Sequence, residues 1–134
     1  MNELVVIGAG GLGQEVMWAA RRRNALSPGF TIAGFCDDDP GKKGSRLDGC
    51  AILGTPEEAA AGGLALAMFV CGIGSNSRRE AVVERALRLG WVPAVIVDPS
   101  VIVADGVSLA PGCYVGAGSI LSPHACIGAH VVVN

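Results

Sequence analysis

Apolar and polar positions follow two different periods along this chain. Up to about residue 95, short apolar runs of strand type alternate with stretches of helical spacing. Leu4 to Ile7 is a β-branched run that predicts a buried strand. Gln14 to Arg23 follows as a helix with Val16, Met17 and Ala20 on one face. Phe30 to Cys36 predicts a second strand, stopped by Asp37-Asp38-Asp39-Pro40. Ala51 to Leu53 is a candidate short strand. Thr55-Pro-Glu-Glu then reads as an N-cap, a proline at the first helical position and two acids in the first turn. Leu66 to Cys71 predicts a third main strand, followed by a Gly72-Ile-Gly74 turn. Asn76 to Leu89 is an amphipathic helix with Gly90 as its cap, and Ala94 to Val97 predicts the next strand. Strand–helix alternation of this kind implies a parallel sheet with crossover helices, an α/β Rossmann-like domain over residues 1–95.

From Val97 the period becomes six. The chain divides into VDPSVI, VADGVS, LAPGCY, VGAGSI, LSPHAC and IGAHVV, with VN remaining. An aliphatic residue opens each block, from Val97 through Val103, Leu109, Val115, Leu121 and Ile127 to Val133. A small or β-branched residue stands fifth: Val101, Val107, Cys113, Ser119, Ala125 and Val131. Ordinary strands alternate with period two, whereas a fixed period of six marks the flat sides of a triangular parallel β-helix, about three blocks to a coil. Residues 96–134 therefore predict its first two coils. Repeat arrays generally need about three or more units and a cap, so a chain with two coils is expected to be a fragment of a longer protein.

Composition narrows the function classes. A net charge of −2 argues against a nucleic-acid binder, which carries a clustered basic excess. The dense basic run Arg21-Arg22-Arg23 falls late in a predicted helix, where it complements the helix macrodipole. The apolar stretch from Leu64 to Ile73 is too short to cross a bilayer, which takes about 20 residues, and because Met-Asn-Glu runs straight into a predicted strand without a basic n-region, no secretory signal is expected. The five cysteines (Cys36, Cys50, Cys71, Cys113 and Cys126) form no C-x-x-C pair, so neither a disulfide framework nor a metal site is expected. They read as small reduced hydrophobes of a cytoplasmic protein.

The first strand runs into Gly8-Ala-Gly10-Gly11-Leu12-Gly13, which satisfies the G-x-G-x-x-G dinucleotide pattern, with Asp37 near the spacing expected of a ribose-binding acid. Taken literally, this is an NAD-binding oxidoreductase domain, yet no dehydrogenase catalytic pair follows. A third possibility is a non-catalytic sugar-nucleotide-binding or assembly module.

The order "VVIGAGGLGQEV", "GFCDDDP", "CGIGSNSRREAV" and then the hexapeptide run resembles the bacterial sugar O- and N-acyltransferases of the sialic-acid O-acetyltransferase and bacillosamine-pathway N-acetyltransferase type. The resemblance covers the whole chain. It implies a left-handed β-helix and an N-terminal domain that holds a nucleotide-linked amino sugar in place of NAD. By the same resemblance, Gly8, Gly10, Gly11, Leu12 and Gly13 lie against the sugar nucleotide. Asp37 and Asp38 contact its uridine or ribose side, and Gly74 admits the ligand to the backbone. Glycines permit close backbone approach, and a helix N-terminus favours phosphate. Leu12 stands where the family often has histidine. The resemblance further implies acetyl-CoA as co-substrate, a homotrimer, and a catalytic histidine about one block beyond Asn134, so that no catalytic residue is expected among these 134. His124 and His130, each fourth in its block, are expected as exposed corner residues. Ser119 and Ser122 have no nucleophile context, since hexapeptide transferases use direct attack.

Overall fold

The computed structural model describes residues 2–134. The elements, in chain order, are β1 (Asn2–Ile7), α1 (Gly11–Leu26), β2 (Phe30–Cys36), β3 (Arg46–Leu47), β4 (Cys50–Ala51), α2 (Pro56–Ala61), β5 (Met68–Cys71), α3 (Asn76–Arg88) and β6 (Val92–Pro93). Seven two-residue rungs follow: β7 (Ile96–Val97), β8 (Ile102–Val103), β9 (Ser108–Leu109), β10 (Tyr114–Val115), β11 (Ile120–Leu121), β12 (Cys126–Ile127) and β13 (Val132–Val133).

The first sheet has the order β2-β1-β5-β6 and is parallel throughout. Alternate residues of its strands serve two cores. Leu4, Val6 and Val70 face α1, where Val16, Met17, Ala19 and Ala20 cover them. Val5, Ile7, Phe69 and Cys71 face the other way, onto Ala59 of α2 and Val82, Val83 and Ala86 of α3. Period-two side-chain alternation thus sandwiches the sheet between helices, which is why the strands read as continuous apolar runs. Trp91 closes the second core and donates its indole N–H to Leu64 O at 2.9 Å.

Local chemistry sets the helix ends. Thr55 and Glu58 form a reciprocal capping box: the Thr55 hydroxyl accepts from Glu58 N, and Glu58 Oε1 accepts from Thr55 N, both at 3.1 Å. The Ser75 hydroxyl caps α3. Leu89 is that helix's C-cap, and Gly90 beyond it takes φ +83°. The strand expected over Ala94–Val97 is shorter, and a separate one precedes it. Val92–Pro93 completes the parallel sheet, and Ile96–Val97 opens the rungs. The arginine run does more than complement a dipole. Arg21 donates to Asp48 O, Arg22 pairs with Asp98, and Arg23 lies over the Phe30 ring at 4.9 Å.

The hexapeptide run folds as the start of a left-handed parallel β-helix. Rungs three blocks apart pair in parallel: Ile96, Tyr114 and Val132 stack on one side, Ile102 and Ile120 on the second, Ser108 and Cys126 on the third. Of the block-opening residues, Val115 and Leu121 are buried and Val97, Leu109, Ile127 and Val133 half-buried, while Val103 stays exposed. Fourth positions make the corners: Gly106, Gly112, Gly118, His124 and His130 all have φ between +57° and +83°. The outward residues of the first side, Ile96 and Tyr114, join the core beside α1, and Val132 packs against it. One face of the coils therefore seats on the α/β layer. Asp98 fixes that seat, its buried carboxylate accepting from Arg22 Nε of α1 at 3.0 Å and from Ser100 N and Oγ at 2.9 and 2.7 Å. The Ser100 hydroxyl in turn accepts from Gly118 N, one coil further on.

Candidate functional site

Strand order reverses between β1 and β5, because the chain steps from β1 to β2 on one side and returns to β5 on the other. In open parallel sheets a ligand crevice forms outside the carboxyl ends of the strands at such a switch point. A cleft of about 380 Å³ lies there, walled by the turns that follow β1, β2 and β5.

Of the residues singled out from the sequence, Gly8, Gly10, Gly11, Leu12, Asp37, Asp38 and Gly74 line this cleft. Gly13 does not. A Cβ on Gly13 would sit 1.7 Å from Gly8 O, and one on Gly72 would sit 2.6 Å from Gly13 Cα. Gly8, Gly13 and Gly72 thus interlock three backbones behind the wall, whereas a Cβ on Gly10 or Gly11 would meet nothing within 4 Å. The motif divides into a packing half and a half open to the cleft. Gly10 caps α1 without a side-chain hydrogen bond, and no acid occupies the first turn, so the helix end opens into the cleft with its N–H groups free of side-chain competitors.

Both aspartates reach the cleft with their carboxylates already engaged. Asp37 Oδ2 accepts from Ala9 N at 3.0 Å, Oδ1 accepts from Asp39 N at 2.9 Å, and Lys42 Nζ stands 3.6 Å from Oδ2. Burial alone would raise the Asp37 carboxyl. The Asp39 and Ala9 amides and the Lys42 charge outweigh it and hold the group below its usual value. Asp37 therefore pins the glycine-rich turn to the end of β2. Asp38 makes a two-point pair with Arg85 of α3, at 2.7 and 2.9 Å.

Sequence reasoning passed over two cations of the cleft. Lys42 follows the Pro40-Gly41 turn, and Arg78 sits in the first turn of α3. Among the described residues the Arg78 guanidinium has no hydrogen-bond or ion-pair partner. The signal was present, since a basic residue just inside a helix that follows a Gly-x-Gly turn is placed to meet an anion.

The two histidines part company. His124 is exposed at its corner, as expected. His130 is a correction: it is half-buried, its ring stacked on Phe69 with centroids 5.9 Å apart. Burial, with Arg79 nearby, lowers its pKa. The corner itself points outward from the coil, but on this side the α/β layer meets it. All five cysteines are free, with Cys36, Cys71 and Cys113 buried, Cys50 half-buried and Cys126 exposed. Burial, with Glu57 and Asp38 adding to it, pushes the Cys36 thiol up to about 12, and burial pushes Cys71 to about 11, so neither supplies a thiolate at neutral pH. Among the described residues no group of three or more His, Cys, Asp or Glu could hold a metal ion, and no helix is long and apolar enough to cross a membrane.

A switch-point cleft behind a glycine-rich turn, joined directly to six-residue rungs, defines an α/β domain carrying a hexapeptide β-helix. Comparison with known proteins identifies the particular family: the model described as the PglD N-terminal domain matches residues 3–86, and the chain belongs to that family. Among solved structures, a variant of perosamine N-acetyltransferase from Caulobacter crescentus, in complex with CoA and GDP-perosamine, is 25% identical with a TM-score of 0.84 over 100% of this chain. The acetyltransferase domain of PglB from Neisseria gonorrhoeae, in complex with acetyl coenzyme A, is 25% identical with a TM-score of 0.81 over 99% of this chain. The present chain spans 60% and 62% of those two chains. A search of curated proteins gave no match.

Proposed function

We propose that this chain carries the acceptor-binding end of an acetyl-CoA-dependent N-acetyltransferase acting on a nucleotide-linked amino sugar. The observation that carries the reading is the switch-point cleft, with the open end of α1 on one wall and Arg78 and Lys42 on the others. A diphosphate suits that combination, because backbone N–H groups and an unpaired guanidinium favour an anion together. The exposed glycines let the ligand lie against backbone. Leu12, half-buried between cleft and core, offers it an apolar contact where the family often has histidine.

In the reaction, the amine of the sugar attacks the thioester carbonyl, the C–S bond breaks, and the coenzyme leaves as its thiol with the proton taken from the amine. Binding of CoA or acetyl-CoA and of GDP-perosamine by the solved relatives supports both substrates. The described residues of this chain are assigned to the acceptor alone. Its exposed outward pair Ile102 and Ile120, 60% and 68% accessible on one side of the coils, supports assembly as a homotrimer through that side. Five free thiols suit a cytoplasmic setting.

Calorimetric titration of the chain with GDP-perosamine, with a UDP-linked amino sugar and with NADH tests this reading. Binding of a sugar nucleotide without a response to NADH is the expected result. Binding of NADH alone returns the lead to redox chemistry.

A further inference from the structure

Three successive carboxylates at the cleft wall, Asp37, Asp38 and Asp39, are poor company for an anionic ligand. We propose that Arg85 is a positioning residue for acceptor binding: by clamping Asp38 and Glu57 it withdraws their negative charge from the ligand's diphosphate. The inference rests on the acceptor-site reading and extends it to a residue that does not itself line the cleft.

The geometry is specific. From the third turn of α3, Arg85 donates through Nη1 and Nη2 to the two oxygens of Asp38, at 2.7 and 2.9 Å. The same guanidinium reaches Glu57 of α2 through Nε at 3.0 Å and Nη2 at 2.6 Å. One cation thus meets four carboxylate oxygens, two from α2 and two from the loop after β2. The other two aspartates are answered differently, Asp37 by the glycine-rich turn and Lys42, and Asp39 by Gly41 N at 2.9 Å. Asp38 alone depends on a distant side chain.

Stability gives a weak reason for this arrangement. The side chains of Arg85, Asp38 and Glu57 are 30%, 51% and 47% accessible, and ion pairs at such exposure contribute little to folding. Their field is felt nonetheless. After burial, Glu57 and Asp38 are the next causes raising the Cys36 thiol at the end of β2, and Arg85 is the group that opposes them. A diphosphate in the adjoining cleft meets the same field.

The test is titration of the 134-residue chain with GDP and UDP, and in parallel with guanosine and uridine, which share the base and ribose without the phosphates. In low salt, Arg85→Met is expected to weaken the diphosphates on the order of five-fold while leaving the nucleosides within about two-fold, an effect that shrinks as salt is raised. Adding Asp38→Asn to Arg85→Met restores most of the loss, because the summed charge of the cluster returns to its wild-type value even though Glu57 is left unpaired. Asp38→Asn alone, with Arg85 intact, tightens diphosphate binding and serves as the readout should Arg85→Met fail to fold. Equal losses for nucleosides and diphosphates, or no recovery in the double variant, overturn the proposal and leave Arg85 a structural clamp. A wild-type chain that binds neither GDP nor UDP overturns the acceptor-site reading and this inference with it. A wild type that binds both while Arg85→Met changes nothing overturns the inference alone.

Discussion

Glycine positions that look equivalent in "GAGGLG" carry different loads. Gly13 leaves no room for a methyl group, since its Cβ would overlap Gly8 O at 1.7 Å, while Gly10 faces open space. Gly13→Ala is therefore expected to destabilise the fold by roughly 3 kcal/mol, as overpacking against backbone does, and Gly10→Ala by less than about 1 kcal/mol. Urea denaturation of the two variants checks the contrast; equal midpoints would contradict the interlock. The spacing of the motif was plain in the sequence, but which glycines pack and which face the cleft depends on the approach of Gly72, some sixty residues away along the chain. Arg85 was similarly invisible. It pairs across separations of 28 and 47 residues, and no local pattern on α3 sets it apart from Arg88.

At the scale of elements, strands and helices were legible wherever an apolar run or a cap decided them. Thr55-Pro-Glu-Glu formed the capping box its residues allow, and the period of six formed rungs in register. Of the β3–β4 hairpin, the short strand expected over Ala51–Leu53 appears one residue earlier as Cys50–Ala51, whereas its two-residue partner Arg46–Leu47 carries too little pattern to be read in advance. Its place is fixed by tertiary bonds such as Gly44 N to Ile52 O. The side of the coils that meets the α/β layer was hidden for the same reason, and with it the burial of His130. A consequence can be measured at the coil corners. The His130 ring lies over Gly112, where an added Cβ would stand 2.2 Å from Nδ1, whereas Gly118 has the same positive φ and open space. Gly112→Ala is thus expected to lower the melting temperature more than Gly118→Ala, which carries only the backbone strain. Equal shifts would show that the histidine yields freely.

The joint between layers belongs to the same scale. Burial would raise the Asp98 carboxyl, but Ser100 and Arg22 outweigh it and hold it below its unfolded value of 3.8. A depressed carboxylate contributes stability that is present above the unfolded value and lost as pH falls through the folded one. Asp98→Ala is expected to cost about 2 kcal/mol at neutral pH, discounted because Arg22 stays 41% exposed and keeps water once its partner is gone. The difference between variant and wild type should narrow below pH 3.8 as the wild-type carboxylate protonates. A gap that is unchanged down to the acid transition would show that Asp98 acts by packing and not by charge.

For the molecule as a whole, two sequence periods became one object: a parallel sheet whose switch point faces outward as a cleft, and a stack of coils seated beside it on α1 through Ile96, Tyr114 and Val132. The glycine-rich turn anchored by Asp37, the open end of α1 and the cations Lys42 and Arg78 give that cleft the character of an anion site on a backbone bed. The proposed acceptor, a nucleotide-linked amino sugar, carries the diphosphate that such a cleft suits. The most direct measurement is two-dimensional amide NMR of the chain titrated with GDP-perosamine and with a UDP-linked amino sugar. The account predicts saturable shifts concentrated at Gly10, Gly11, Leu12, Gly74 and Arg78, with the rungs beyond Ile102 unmoved. Shifts confined to the coils, or none at millimolar ligand, would contradict it.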